Sequence, residues 1–156
     1  MSSKAPTRRD FLGALGAASA TVAIPQWLWG CVSEAEFQGR NQQWEAQAAQ
    51  IEADGLYTFG NPGPWEGKEA VHVPLVSLNE GQGTVTVTVE HVMEADHYIP
   101  LVYIRNQNGF IIGLREFSAD EPAAIVDFPL PAGTTSVTAF AFCNLHNNWV
   151  NEPSGV

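Results

Sequence analysis

The run Thr84-Val85-Thr86-Val87-Thr88-Val89 alternates polar and apolar side chains without a break. A helix cannot satisfy a period of two, whereas a strand does so by turning every valine to one face. Both residue types are β-branched, which stiffens the side chain and suits the pleated backbone. Further β-rich runs lie near Val71–Leu78, Tyr98–Arg105, Phe110–Phe117, Ala123–Phe128 and Thr135–Cys143. Turn formers separate them: Asn79-Glu80-Gly81, Asn106-Gln107-Asn108-Gly109, Ala119-Asp120-Glu121-Pro122 and Pro131-Ala132-Gly133. Six or seven short strands at this spacing, with no helix between them, predict an all-β fold, an immunoglobulin-like antiparallel β-sandwich. A length of 156 residues allows one such domain and hardly two.

The chain before the strands reads differently. Residues Ser33 to Asp54 are mainly Glu, Gln and Ala, and Phe37, Trp44, Ala48 and Ile51 recur at helical spacing, which predicts a short amphipathic helix packed on a domain or a partner. Gly55 stops it, and Gly60-Asn61-Pro62-Gly63-Pro64 permits neither helix nor strand interior. Further upstream, Thr7-Arg8-Arg9-Asp10-Phe11-Leu12-Gly13 and the weakly apolar stretch to Leu28 look like a twin-arginine export signal. That stretch is short, Gly-punctuated and broken by Pro25, whereas a spanning helix needs about 20 predominantly apolar residues. Leu28-Trp29-Gly30-Cys31 resembles a lipobox, which would make Cys31 an acylated N-terminus and a membrane tether. The expected organisation is a signal peptide over 1–31, a helical linker over 32–63 and a β domain over 64–156, placed in the periplasm or anchored in the cell envelope. Export of this kind carries folded proteins, commonly with a cofactor already installed, which points toward a metal or redox centre.

Charge removes another class. The chain has 7 Lys plus Arg against 17 Asp plus Glu, and beyond residue 31 four cations (Arg40, Lys68, Arg105, Arg115) face 16 carboxylates, a net charge of −12. No basic patch exists to meet a phosphate backbone, so nucleic-acid binding is excluded. With 2 Cys and 4 His in the chain, neither a disulfide framework nor a four-thiolate metal site can be built.

Those scarce residues all fall in the β region, apart from Cys31. His72 sits in Val71-His72-Val73-Pro74, which reads as strand. His91 and His97 bracket five residues where the Thr/Val strand ends and the chain turns. Cys143-Asn144-Leu145-His146 closes the last long strand, and its C-x-x-H spacing lets a thiolate and an imidazole reach one metal. Four imidazoles and a thiolate exceed what a closed tetrahedral zinc site takes. One thiolate among nitrogen donors suits iron, and five protein ligands on an ion that prefers six leave one position open for reaction.

The same segments carry a family resemblance. Trp65-Glu66-Gly67-Lys68, Val71-His72-Val73-Pro74, His91-Val92-Met93-Glu94-Ala95-Asp96-His97-Tyr98-Ile99 and Cys143-Asn144-Leu145-His146-Asn147-Asn148-Trp149 resemble the superoxide reductase family, the neelaredoxin and desulfoferrodoxin iron proteins. The resemblance spans roughly residues 64–152. It implies an immunoglobulin-like sandwich holding one mononuclear non-haem iron, with His72, His91, His97 and His146 as equatorial ligands and Cys143 as the axial thiolate. It implies reduction of superoxide to hydrogen peroxide, with electrons from an external donor such as a small redox protein, and it is compatible with a homo-oligomer. The chain lacks the four cysteines of the extra desulfoferrodoxin domain and so resembles the one-iron neelaredoxin type.

Departures from the family pattern are equally specific. The family usually has Glu-Lys directly before the first histidine, the lysine attracting superoxide and the glutamate able to occupy the sixth position of oxidised iron; here those positions are Ala70 and Val71. Lys68 and Glu69 lie just upstream in reverse order, which leaves Lys68 as the candidate for superoxide attraction. On a regular strand, Glu69 would face the side opposite the position it might replace. Val92 stands where the family has Pro, and Asn147 where Gly is usual. Three readings therefore stay open: a one-iron superoxide reductase, a non-catalytic iron module for electron transfer or redox sensing, and an immunoglobulin-like binding domain with incidental histidines.

Overall fold

The structure, a computed structural model, describes residues 34–79 and 81–156, with side chains of the first helix described from Arg40 onward. The export motif, Cys31, the side chain of Phe37 and the turn residue Glu80 lie outside the described residues.

Two sheets face each other. The larger runs in the order β1 (Leu56–Tyr57), β8 (Asn147–Val150), β7 (Ser136–Cys143), β4 (Leu101–Asn106) and β5 (Ile111–Glu116), with β9 (Ser154–Gly155) also pairing β7. The smaller is β2 (Leu75–Asn79), β3 (Thr84–Val89) and β6 (Ala124–Pro129). Every pairing is antiparallel except β1 with β8. The six β-rich runs read from the sequence appear as β2 to β7, and the remaining strands have only two to four residues.

Side-chain alternation explains the core. Val85, Val87 and Val89 of β3 are buried against Val102 and Ile104 of β4 and Val137, Ala139 and Ala141 of β7, each valine contributing about 1.5–3 kcal/mol by leaving water. Phe128 of β6 lies across Gly113 of β5, where any Cβ would overlap the phenyl ring. Gly113 is therefore fixed by close approach, beside the register shift between Ile104 and Arg105. On the other face of the large sheet, Leu101, Tyr103, Ile111 and Phe140 form a second cluster. Helix α1 (Glu34–Glu52) covers it with Trp44, Ala48 and Ile51, the spacing expected from the sequence. Glu45 and Glu52, two turns apart on α1, both hold Arg105 of β4, at 2.8 and 3.0 Å.

One expected strand is absent. Val71-His72-Val73 does not extend β2; residues Glu69–His72 form a short helical turn, α2, closed by the Val73 N–H donating to the Glu69 carbonyl at 2.9 Å. Gly67, at φ +86°, turns the chain into it. Pro74 has no N–H to give a ladder, so pairing starts only at Leu75. The alternating-face argument for Glu69 falls with the strand: the backbone there winds, and Glu69 and His72 are three residues apart on a helical turn.

Candidate metal centre

Five donor atoms from three separated segments meet at one end of the sandwich. His72 ends α2, His91 follows the last residues of β3, and His97 sits in a tight turn in which Glu94 and His97 exchange backbone hydrogen bonds of 3.1 and 3.0 Å. Cys143 is the last residue of β7, and His146 lies in the turn to β8. Their ligating atoms all fall within 4.8 Å of one another. The structure thus brings together all five residues that the sequence singled out.

The contacts identify which ring atoms converge. Nε2 of His72 lies 3.0 Å from Nδ1 of His146, Nε2 of His91 lies 3.0 Å from Nε2 of His97, and Nε2 of His97 lies 3.2 Å from Nδ1 of His146. Sγ of Cys143 is 3.6 Å from Nε2 of His91 and 3.5 Å from Nδ1 of His146. Three imidazoles therefore present Nε2 and one presents Nδ1. The opposite nitrogens are engaged where this matters: Nδ1 of His72 donates to the Lys68 carbonyl at 2.8 Å, and Nδ1 of His91 donates to the Val92 carbonyl. Each bond fixes the tautomer that leaves a lone pair on the convergent nitrogen.

Local supports hold the loops in place. Asn144, between Cys143 and His146 of the C-x-x-H turn, accepts from the Tyr98 N–H at 3.0 Å and donates to the Asp96 carbonyl at 2.9 Å. It clips the Cys143–His146 turn to the His91–His97 loop, a role that spacing alone does not reveal; a short amide-bearing side chain inside a turn was the available signal. Asn147 adopts φ +62°, the left-handed region that Gly and Asn tolerate best, which accounts for Asn where the family has Gly. The Trp65 ring stands nearly perpendicular to that of His146 with centroids 5.0 Å apart, and the Trp149 ring lies 5.2 Å from that of His72. Trp149 also donates its indole N–H to the His146 carbonyl at 2.9 Å.

Electrostatics favour a cation here. Burial holds the His72 imidazole down at about 4, opposed by the Lys68 carbonyl, and the neighbouring imidazoles lower it further. Burial likewise lowers His91 and His146. These lone pairs are free at neutral pH. Burial raises the Cys143 thiol, while the backbone N–H groups of Leu145 and His146, and the charge of Lys68, favour its thiolate. A metal ion that binds here must displace that proton. A cavity of about 390 Å³ opens beside His72, His91 and His97, with Lys68, Glu90 and Glu94 in its lining. Glu69 is turned elsewhere: its carboxylate accepts from the Gly67 N–H at 3.0 Å.

Four imidazoles and one thiolate are too many donors for tetrahedral zinc and a fitting set for six-coordinate iron. Sandwich and donor set together define a mononuclear non-haem iron protein of immunoglobulin-like fold. The desulfoferrodoxin family model matches residues 65–152, more than half of the chain, and the chain belongs to that family. No curated protein matches it in sequence. Among solved structures, the superoxide reductase from Treponema pallidum is 32% identical over 53% of this chain and 67% of its own, with a TM-score of 0.46. A superoxide reductase (neelaredoxin) from Ignicoccus hospitalis, E23A, is 23% identical over 67% of this chain and 94% of its own, with a TM-score of 0.52. The latter likeness is one of fold.

Proposed function

We propose that this protein is a one-iron superoxide reductase, with His72, His91, His97, His146 and Cys143 as the iron ligands. The observation that carries the reading is the convergence of these five donors within 4.8 Å on the fold of a family that binds mononuclear iron. Iron bound there would supply the single electron that, with two protons, takes superoxide to hydrogen peroxide. The chain's own residues do the rest. Nδ1 bonds to the Lys68 and Val92 carbonyls aim His72 and His91, and the N–H groups of Leu145 and His146 stabilise the Cys143 thiolate. Lys68, the one Lys or Arg among the residues that line the cavity, offers a positive side chain to an arriving anion. A small redox protein acts as the external donor that returns the electron.

A second reading, a slow or non-catalytic iron module for electron transfer or sensing, draws on a specific observation. Ala70 and Val71 replace the family's Glu-Lys, and Glu69 is bound to the Gly67 N–H. Pulse-generated superoxide with time-resolved optical detection separates the two. Superoxide decay that accelerates in proportion to the reduced iron protein supports the reductase, and decay at the spontaneous rate sinks it.

The cell-envelope location and the tether at Cys31 belong to the same proposal. Intact-mass measurement of the protein recovered from its host should show a chain beginning at a diacylated Cys31; an unprocessed N-terminus would overturn this part.

A further inference from the structure

Segment 34–57 lies before the family-matched region, yet it is bound to the strand that follows the last ligand. Glu52 at the end of α1 accepts from the Tyr103 hydroxyl at 2.6 Å, and that oxygen accepts from the Asn148 amide at 2.9 Å. The direction of this chain is forced. An ionised carboxylate only accepts, so the hydroxyl spends its one proton on Glu52 and can only accept from Asn148, which fixes the amide orientation. Asn148 is fully buried, and its other amide atom has no partner among the described residues. The Tyr103 bond alone therefore orients it. Two more links run in parallel: the Asn147 amide donates to the Asp54 carbonyl at 3.3 Å, and β1 pairs with β8 at Leu56–Asn148 and Tyr57–Trp149.

Successive residues of β8 face opposite sides. Asn148 pairs with Phe142 and turns to the α1 side, while Trp149 pairs with Ala141 and turns inward to His72 and the His146 carbonyl. β8 is thus a bar with α1 on one face and two ligand residues on the other.

We propose that segment 34–57 is a working part of the metal centre, and that Glu52 and Tyr103 are positioning residues which set the Cys143–His146 turn through Asn148. This rests on the ligand set proposed above. Tyr103→Phe removes the hydroxyl and frees the Asn148 amide, while Glu52→Gln removes the charged anchor and keeps a side chain of the same size. The ligand turn then keeps its Asn144 clip and its β7–β8 pairing but loses the support from α1, and the geometry at the thiolate relaxes.

The test uses the full chain loaded with iron. The readouts are the sulfur-to-iron charge-transfer band of the oxidised protein, its reduction potential, and the rate of iron loss to a chelator. Leu114→Ala, which weakens the same α1–sheet cluster away from the hydrogen-bond chain, is the packing control. Tyr103→Phe and Glu52→Gln should shift the band and the potential and release iron about tenfold faster, while Leu114→Ala leaves band and potential in place. If either variant folds and keeps the wild-type band, potential and release rate, or if Leu114→Ala shifts them equally, the positioning role is overturned. A wild-type protein with no sulfur-to-iron band overturns the ligand set itself, and this inference with it.

Discussion

Cys143 is the one soft donor at the site, so Cys143→Ser should abolish the sulfur-to-iron absorption of the oxidised protein while iron analysis still reports some metal. Persistence of the band would move the thiolate elsewhere. The imidazoles make a separate prediction for the metal-free chain. His72 is held at about 4 when folded against roughly 6.5 when unfolded, so between these values the unfolded state binds more protons. Stability therefore falls as pH drops from about 6.5 toward 4. The raised Cys143 thiol works at the other end: the unfolded chain loses that proton first, so stability also declines above about pH 9. Urea midpoints of the metal-free protein should form a plateau between these limits, with the acid limb shallower in His72→Gln. All five donors were legible because they are scarce and because the turns fall beside them. Asn144 was not, because an asparagine in a turn is ordinary until its partners, Tyr98 and Asp96, are known.

The Thr/Val run of β3 announced itself through its period, and the other long strands through β-rich composition between turn formers. The four residues of α2 could not, since four residues cannot display a helical repeat and Val71 and Val73 favour strand locally. What decides there is punctuation on either side, Gly67 at positive φ and Pro74 without an N–H. Glu69→Ala should leave the oxidised-iron spectrum and its alkaline transition unchanged, because the carboxylate already bonds to Gly67; a clear shift in either would show that it reaches the metal. At β5, Gly113→Ala should destabilise the domain by about 1–3 kcal/mol, the usual cost of overpacking, because the added methyl meets the Phe128 ring. Denaturant melts of Gly113→Ala alone and with Phe128→Leu check this, the double variant regaining part of the loss. The tie between Arg105 and α1 was hidden for a different reason: its partners Glu45 and Glu52 are 60 and 53 residues away, and charge spacing within one helix says nothing about a distant strand.

The molecule as a whole repels its proposed substrate. A net charge of −12 beyond residue 31 opposes an anion over distances where screening acts, the Debye length being about 10 Å at 0.1 M. Lys68 opposes this locally, yet Glu90 and Glu94 line the same cavity. The rate with superoxide should stay flat or rise modestly with added salt. A several-fold fall between low and physiological ionic strength, lost in Lys68→Ala, would overturn this and make Lys68 the steering residue.

The donors are also ordered along the chain. His72, His91 and His97 come first, and the Cys143–His146 pair arrives 46 residues after His97. Synthesis proceeds from the N-terminus, so a set of imidazoles without a thiolate precedes the complete set on every molecule made. Nitrogen donors follow the Irving–Williams order, in which copper, nickel and zinc all outbind ferrous iron. Adding the sulfur when β7 pairs between β4 and β8 completes the donor set but does not reverse that order, because the series holds for nitrogen and sulfur donors alike. A cell that fills this pocket with iron would therefore depend on which metals are available to it as much as on the donors themselves.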